Sequence, residues 1–199
     1  MLLIILLVVA VMAIGDAVVY AWPAWAPRPL WALLDPVVHV LLSVAVISPL
    51  LAHTALAGRA WLWVLAAAAA TVLIDLDHFV AARTLSLAEA LALPSRPPTH
   101  SLLFALGCAV ITAALTRNLL GGGVVFGSLA SHVLRDASHY GAPLLWPLVK
   151  QTTLSLPAYY AAHVGLCLLA GIVAGWPFRT LWSHRLSQQA AQLWQMLQS

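Results

Sequence analysis

Long apolar runs alternate along this chain with short breaks of proline, glycine or charged residues. A helix that crosses the hydrocarbon of a bilayer needs about 20 mostly apolar residues. Six runs meet this requirement, at residues 2–21, 33–56, 60–80, 101–118, 120–139 and 158–177. The pattern therefore predicts an all-α fold, a polytopic membrane bundle of about six transmembrane helices within a domain at residues 1–177.

Two further segments lie between or beyond these runs. Residues 141–157 are apolar but carry three prolines, which favours a re-entrant or interfacial segment over a spanning helix. Residues 178–199 are polar, with leucines and tryptophans among them, and we expect an amphipathic helix that rests on the bilayer surface. The first run lacks the basic residues that begin a secretory signal, so we interpret it as an uncleaved span.

The composition supports a membrane protein and argues against one class of partner. Hydrophobic residues make up 63% of the chain and charged residues only 8%, whereas soluble domains carry about 25% charged residues. Lipid must therefore be the solvent for most of the surface. The nine lysines and arginines are scattered, so we do not expect nucleic-acid binding, which uses a clustered basic stripe.

The ionisable residues gather at one predicted membrane face. Because successive spans alternate in direction, the end of an odd-numbered span and the start of an even-numbered span share a face. All six acidic residues fall on that face, as do six of the eight histidines, His53 and His184 being the exceptions. Ionisable groups within a membrane are costly, and they usually face a protein interior or a cavity.

Helical spacing groups these side chains further. The residues lie three or four apart in Asp35 and His39, in Asp75 and His78, and in the series His132, Asp136 and His139, so each group shares one helix face. Imidazole nitrogen and carboxylate oxygen together suit zinc, manganese or iron. The pattern predicts a site for one or two metal ions. His163, alone on its helix, is predicted to be a hydrogen-bonded packing residue.

Four short motifs then resemble a known family in both order and spacing. They read IDLDH at residues 74–78, RPPTHSL at 96–102, SHVLRD at 131–136 and GAPLLWP at 141–147. In this combination they are similar to the LexA-regulated inner-membrane family of metal-dependent hydrolases, over about residues 35–147. The resemblance implies a bacterial inner-membrane enzyme.

A metal-dependent hydrolase that acts at the membrane surface would then give individual residues the following roles. One or two divalent ions, zinc or manganese, would be held by six ligands: His39, Asp77, His78, His100, His132 and Asp136. Asp75 or His139 would accept a proton or orient a ligand, and Arg96, with Arg135 second, would hold a phosphate. A site at headgroup depth favours membrane lipid, or another lipid-linked phosphoester, as the substrate.

The chain departs from the family pattern at residues 95–101. The family motif HRGxTHS reads SRPPTHS here, with Ser95 in place of a histidine and Pro97 in place of a glycine. His139, one turn beyond Asp136, is the candidate to compensate for the missing histidine.

Two other functions remain open at this stage. His39 and His53 lie fourteen residues apart on one predicted span, a separation suited to a haem-binding electron-transfer protein with haems near opposite faces. The same acidic and histidine side chains could instead form the permeation site of a metal or ion transporter.

Overall fold

The computed structural model describes residues 1–20 and 28–175, and within these ranges the regular elements are all helices. The nine α-helices are α1 (Leu2–Tyr20), α2 (Arg28–Leu51), α3 (Thr54–Ala57), α4 (Ala60–Leu73), α5 (Asp77–Ala82), α6 (Leu87–Leu91), α7 (Leu102–Thr116), α8 (Leu119–His139) and α9 (Leu156–Val173). A 3-10 turn at Ile74–Leu76 joins α4 to α5. The predicted all-α fold is confirmed. The predicted amphipathic tail at 178–199 lies outside the described residues.

Within the described residues, four stretches are long and apolar enough to cross a membrane: Leu2–Val19, Leu33–Leu51, Ala60–Ala82 and Leu156–Val173. They correspond to four of the six predicted spans, so the chain is a helical membrane protein, while the count of six is not confirmed. Helix α7 has 15 residues, which extend only about 22 Å against a hydrocarbon thickness of about 30 Å. Helix α8 has 21 residues but includes charged and histidine side chains near its end.

Helix α8 is the centre of the bundle. It packs against α2, α4, α7 and α9, and 14 of its 21 residues are buried. A helix that protein surrounds in this way does not need a lipid-compatible surface. This position explains why α8 carries serine, histidine, arginine and aspartate side chains that would be costly against lipid.

Glycines in α8 allow its neighbours to approach closely. A Cβ atom added at Gly122 would lie 2.7 Å from the backbone oxygen of Ala109 in α7, and one added at Gly127 would lie 2.7 Å from Cγ2 of Ile47 in α2. Both distances are shorter than van der Waals contact, so a larger residue would push the helices apart. Small residues at such crossings are typical of membrane helices, where close backbone packing drives association.

The segment predicted to be re-entrant or interfacial folds as a loop before α9. Its base is buried, and Ala142 and Thr152 exchange two backbone hydrogen bonds of 3.0 and 2.7 Å. The carbonyl of Leu144 accepts a 3.0 Å hydrogen bond from the backbone N–H of Leu102, so the loop also fixes the start of α7. The tip of the loop is exposed, with Trp146 and Leu148 on its surface.

The close α7–α8 contact gives a first prediction. Gly122→Ala should destabilise the protein, because the backbone oxygen of Ala109 cannot move without shifting α7. Overpacking of this kind costs about 1–3 kcal/mol, so the melting temperature in detergent should fall by about 2–12 °C. Gly123→Ala is the matched control, since its added Cβ would lie 3.4 Å from the Leu50 side chain. Equal melting temperatures for the two variants would contradict the close approach.

Candidate metal site

Four side chains from three segments converge at one end of the bundle. Asp75 lies in the 3-10 turn that follows α4, and His132 and Asp136 lie in the last two turns of α8. His100 lies just before α7, where Ser101 caps the helix by accepting a hydrogen bond from Phe104 N–H at 3.2 Å. Because α7 begins after this cap, His100 lies outside the helix, and its ring is directed toward the end of α8.

The distances among these four side chains have a regular pattern. His100 Nε2 is 3.3 Å from Asp75 Oδ1 and 3.4 Å from Asp136 Oδ2. His132 Nε2 is 3.4 Å from Asp75 Oδ1 and 3.3 Å from Asp136 Oδ2. A metal ion bonded to four such ligands at about 2.0–2.1 Å in a tetrahedron holds its ligand atoms about 3.3–3.4 Å apart. The four atoms, all within 4.8 Å of one another, could therefore hold a metal ion.

Two of these ligand atoms are buried without a hydrogen bond. His132 Nε2 and Asp136 Oδ2 both lack a partner of acceptable geometry, although they are 3.3 Å apart. Buried polar atoms nearly always have a partner, and an exception calls for an explanation such as an ion. An ion between them would satisfy both atoms.

Asp77 and Thr99 lie behind His100. Thr99 donates its hydroxyl to Asp77 Oδ2, and the same oxygen is 3.1 Å from His100 Nδ1. When Nδ1 donates its proton to Asp77, the lone pair of Nε2 faces the four-atom group. Burial lowers the pKa of His100, but hydrogen bonds with Asp75 and Asp77 outweigh burial, and the net shift of this pKa is upward. The same negative charges would attract a cation.

Asp77, His78 and His100 form a second group that could hold an ion. Both nitrogens of His78 already have partners, however. Its Nε2 is 2.7 Å from Arg96 Nη1, and because arginine can only donate, Nε2 accepts. Its Nδ1 is then the donor, to the backbone carbonyl of Asp75 at 3.2 Å. Asp77 Oδ1 lies 2.9 Å from the same nitrogen but has no hydrogen bond within the described residues.

His39 and Arg96 flank the four-atom group. The ring of His39 stacks on that of His132 with centroids 4.0 Å apart, and its Nε2 is 3.6 Å from Asp136 Oδ1. Arg96 donates to the same Asp136 oxygen at 3.2 Å. Its guanidinium carbon also lies 5.0 Å from the centroid of the Tyr140 ring. Both side chains therefore contact Asp136 on the side away from the candidate ion.

A second charged cluster lies beside the first and joins α1, α2 and α8. Arg135 is buried and donates to Asp16 at 3.2 Å and to Asp35 at 2.6 Å. His139 Nε2 is 3.2 Å from Asp16 Oδ1. His139 therefore lies with Asp16 and Arg135 instead of at the four-atom group. Arg135 donates to two carboxylates, which is a structural role and differs from the predicted phosphate binding. The sequence offered one sign of this network, since an aspartate in α1 and an arginine in α8 both need partners.

The remaining singled-out residues have structural roles or are exposed. His53 caps α3 by accepting from Ala55 N–H at 3.1 Å. His163 is buried, with its ring nitrogens 3.0 Å from the Tyr159 carbonyl and 3.2 Å from the Ser131 carbonyl, so its predicted packing role is confirmed. Ser95, where the family pattern has histidine, and Glu89 are both exposed.

A cavity of about 120 Å³ opens onto the site beside Asp75. One part of its lining is polar and the other is apolar. The polar part consists of Asp35, His39, Asp75, His78, Arg96 and Asp136, and the apolar part of Pro36, Phe79, Leu87, Ala90 and Leu91.

Comparison with known proteins identifies a family. A family model described as YdjM inner membrane protein matches residues 34–197. No curated protein and no solved structure matches the chain. The match includes all four residues of the candidate site, and it supports the resemblance to an inner-membrane family that the motifs indicated. Regulation by LexA stays a prediction.

The Arg135 network gives a second prediction. Arg135→Met should lower the melting temperature strongly, because removing one partner of a buried ion pair costs about 3–5 kcal/mol. Adding Asp16→Asn and Asp35→Asn to this variant should restore part of the loss, since the uncompensated charges are then gone. Arg59→Met is the control, because Arg59 is exposed. If Arg135→Met melted at the same temperature as Arg59→Met, the network would not hold the three helices together.

Proposed function

Because the chain belongs to the YdjM inner membrane protein family and is an integral inner-membrane protein, we propose that it is a metal-dependent hydrolase. Its substrate is a phosphoester of a lipid or of a lipid-linked molecule, which it cleaves with an activated water. The observation that carries this proposal is the set of four ligand atoms from Asp75, His100, His132 and Asp136, in which each imidazole nitrogen lies 3.3–3.4 Å from both carboxylate oxygens.

Zinc is the ion that this set of ligands suits best. Two imidazole nitrogens and two carboxylate oxygens match the donors that zinc prefers, and the 3.3–3.4 Å spacing matches its bond lengths. Manganese accepts the same donors but usually takes six oxygen-rich ligands. We therefore favour zinc.

We propose one ion per chain. A second ion at Asp77, His78 and His100 would have to displace Arg96 from His78 Nε2, where the two nitrogens are 2.7 Å apart. Asp77 instead has the arrangement of a carboxylate that orients a metal-binding histidine and fixes its tautomer. In this proposal Asp77 and His78 position the site without binding the ion.

Hydrolysis also needs a coordination position that water can reach. Zinc sites with four protein ligands are usually structural, whereas catalytic sites keep one position open. Three of the four ligands here are at most 1% exposed, but the Asp75 side chain is 36% exposed and lines the cavity. Asp75 is therefore the one of the four side chains that water could replace on a bound ion.

The chemistry then divides between the ion and the side chains. A bound divalent ion polarises the phosphoester and lowers the pKa of water to about 7. Asp75, on the cavity side, accepts the proton of the attacking water. As the new P–O bond forms, the ester P–O bond breaks, and the departing alcohol oxygen takes up the proton that Asp75 accepted.

Arg96 is the residue we propose for phosphate binding. It lines the cavity, and its contacts with His78 and Asp136 use two of its five N–H donors. The remaining donors can bind phosphate oxygens, and charge-assisted hydrogen bonds of this type are strong.

The haem alternative has no support within residues 1–20 and 28–175. His53 caps α3, and the His39 and His132 rings are stacked with centroids 4.0 Å apart, which leaves no room for a porphyrin between them. Transport of the ion is an outcome that the following experiment separates from hydrolysis.

The test measures metal content and hydrolysis on the same samples of purified protein. Wild-type protein should contain one zinc per chain and should release water-soluble product from phosphatidic acid or phosphatidylglycerol vesicles. His132→Ala should lose the zinc. Asp75→Asn should keep most of it, because three buried ligands remain, while hydrolysis falls about 10²–10⁴-fold with the loss of the proton acceptor.

His53→Asn is the matched control. Asparagine keeps the cap of α3, so metal content and hydrolysis should equal those of the wild type. Unchanged zinc in His132→Ala would refute the ligand assignment. Zinc binding without hydrolysis of either lipid, together with zinc flux in proteoliposomes, would support a transporter instead.

A further inference from the structure

The cavity at the candidate site has a gradient from polar to apolar. Its inner end consists of buried side chains, His39 at 2% and Asp136 at 1% exposure. At its outer end are Leu87 and Leu91, which line the cavity and are also 44% and 51% exposed on the outer surface. The mouth of the cavity therefore lies at these two leucines. They are four residues apart and share one face of α6.

The surface around this mouth carries further large apolar side chains, beside the exposed charged residues Arg83 and Glu89. Val80, in α5, is 77% exposed, and Leu85, between α5 and α6, is 96% exposed. Large apolar side chains that cluster on a surface mark contact with a partner or with membrane. Since α5 ends the apolar stretch Ala60–Ala82, the bilayer is the apolar phase next to them.

We propose that the apolar wall of this cavity binds the hydrocarbon chain of the substrate, so that the substrate is an amphiphile drawn from the bilayer. Its phosphate lies at the polar end, near Arg96 and Asp75, and its chain passes Phe79, Leu87 and Leu91 toward the lipid. This inference rests on the proposed function and specifies which class of phosphoester the site takes. A phosphoester with a polar alcohol would leave the two leucines without an apolar partner.

The size of the cavity limits what the wall can recognise. The cavity volume is about 120 Å³, whereas a single water molecule needs about 10–15 Å³. The cavity therefore holds a phosphate and the first few methylenes, while the rest of the chain stays in the bilayer. The affinity should therefore increase when a short alkyl chain is present, and it should not depend on chain length beyond about four carbons.

Binding of two non-hydrolysable, water-soluble probes tests this inference without requiring turnover. Methylphosphonate carries the head alone, and butylphosphonate adds three methylenes, both of which can be titrated into zinc-loaded full-length protein by calorimetry. Each buried methylene contributes about fourfold in affinity, so butylphosphonate should bind the wild type at least about tenfold more tightly than methylphosphonate.

The variant Leu87→Ser/Leu91→Ser should abolish most of this preference and leave methylphosphonate binding and zinc content unchanged. The matched control is Leu106→Ser/Val110→Ser, which changes two apolar residues of α7 with the same spacing and similar exposure, 50% and 60%. The control should keep the wild-type preference.

Three outcomes distinguish this inference from the proposed function. The inference would be wrong if the wild type bound butylphosphonate and methylphosphonate with equal affinity, or if the ratio of the two affinities were the same in both double variants. The proposed metal site would be unaffected by either result. Failure of zinc-loaded protein to bind methylphosphonate would overturn the proposed function, on which the inference rests. Loss of zinc from the Leu87→Ser/Leu91→Ser variant would also overturn the inference, because these leucines would then support the site instead of the chain.

Discussion

The need to neutralise buried charge governs this bundle. An ionised side chain in an apolar interior is costly unless another charge or an ion compensates it. The two charged clusters differ in this respect. Around Arg135, two carboxylates face one guanidinium and His139. With all histidines neutral, that cluster has one formal negative charge in excess. Around the candidate site, the three carboxylates of Asp75, Asp77 and Asp136 have one arginine among the described residues, Arg96, which pairs with Asp75 and Asp136. Two formal negative charges are then in excess, which a divalent cation would neutralise.

The fold explains how one end of the bundle gathers so many polar side chains. Glycines let α7 and α2 approach α8 closely, and the buried position of α8 removes the requirement for lipid-facing residues on its last turns. The 3-10 turn after α4 and the cap at Ser101 then position Asp75 and His100 next to each other, beside the end of α8. Rigid packing on the inner side and an exposed Asp75 on the cavity side combine stable ion binding with access for water and substrate.

The sequence was sufficient to predict the helical membrane fold and that acidic and histidine side chains from several helices gather together. It could not separate Asp75 from Asp77, because two carboxylates one residue apart are equivalent in any pattern and only the turn geometry points Asp75 at His132. It also could not predict the partner of His139, since the contact with Asp16 depends on how α1 packs. The lengths of α7 and α8 as spans depend likewise on what surrounds them in the bundle.

The central claim is that Asp75, His100, His132 and Asp136 bind one ion, and X-ray absorption spectroscopy of zinc-loaded protein tests it most directly. The account predicts about four nitrogen or oxygen neighbours at about 2.0–2.1 Å, with outer-shell scattering from two imidazole rings and no sulfur. Six oxygen neighbours without imidazole scattering, or a sulfur neighbour near 2.3 Å, would place the ion elsewhere and contradict the account.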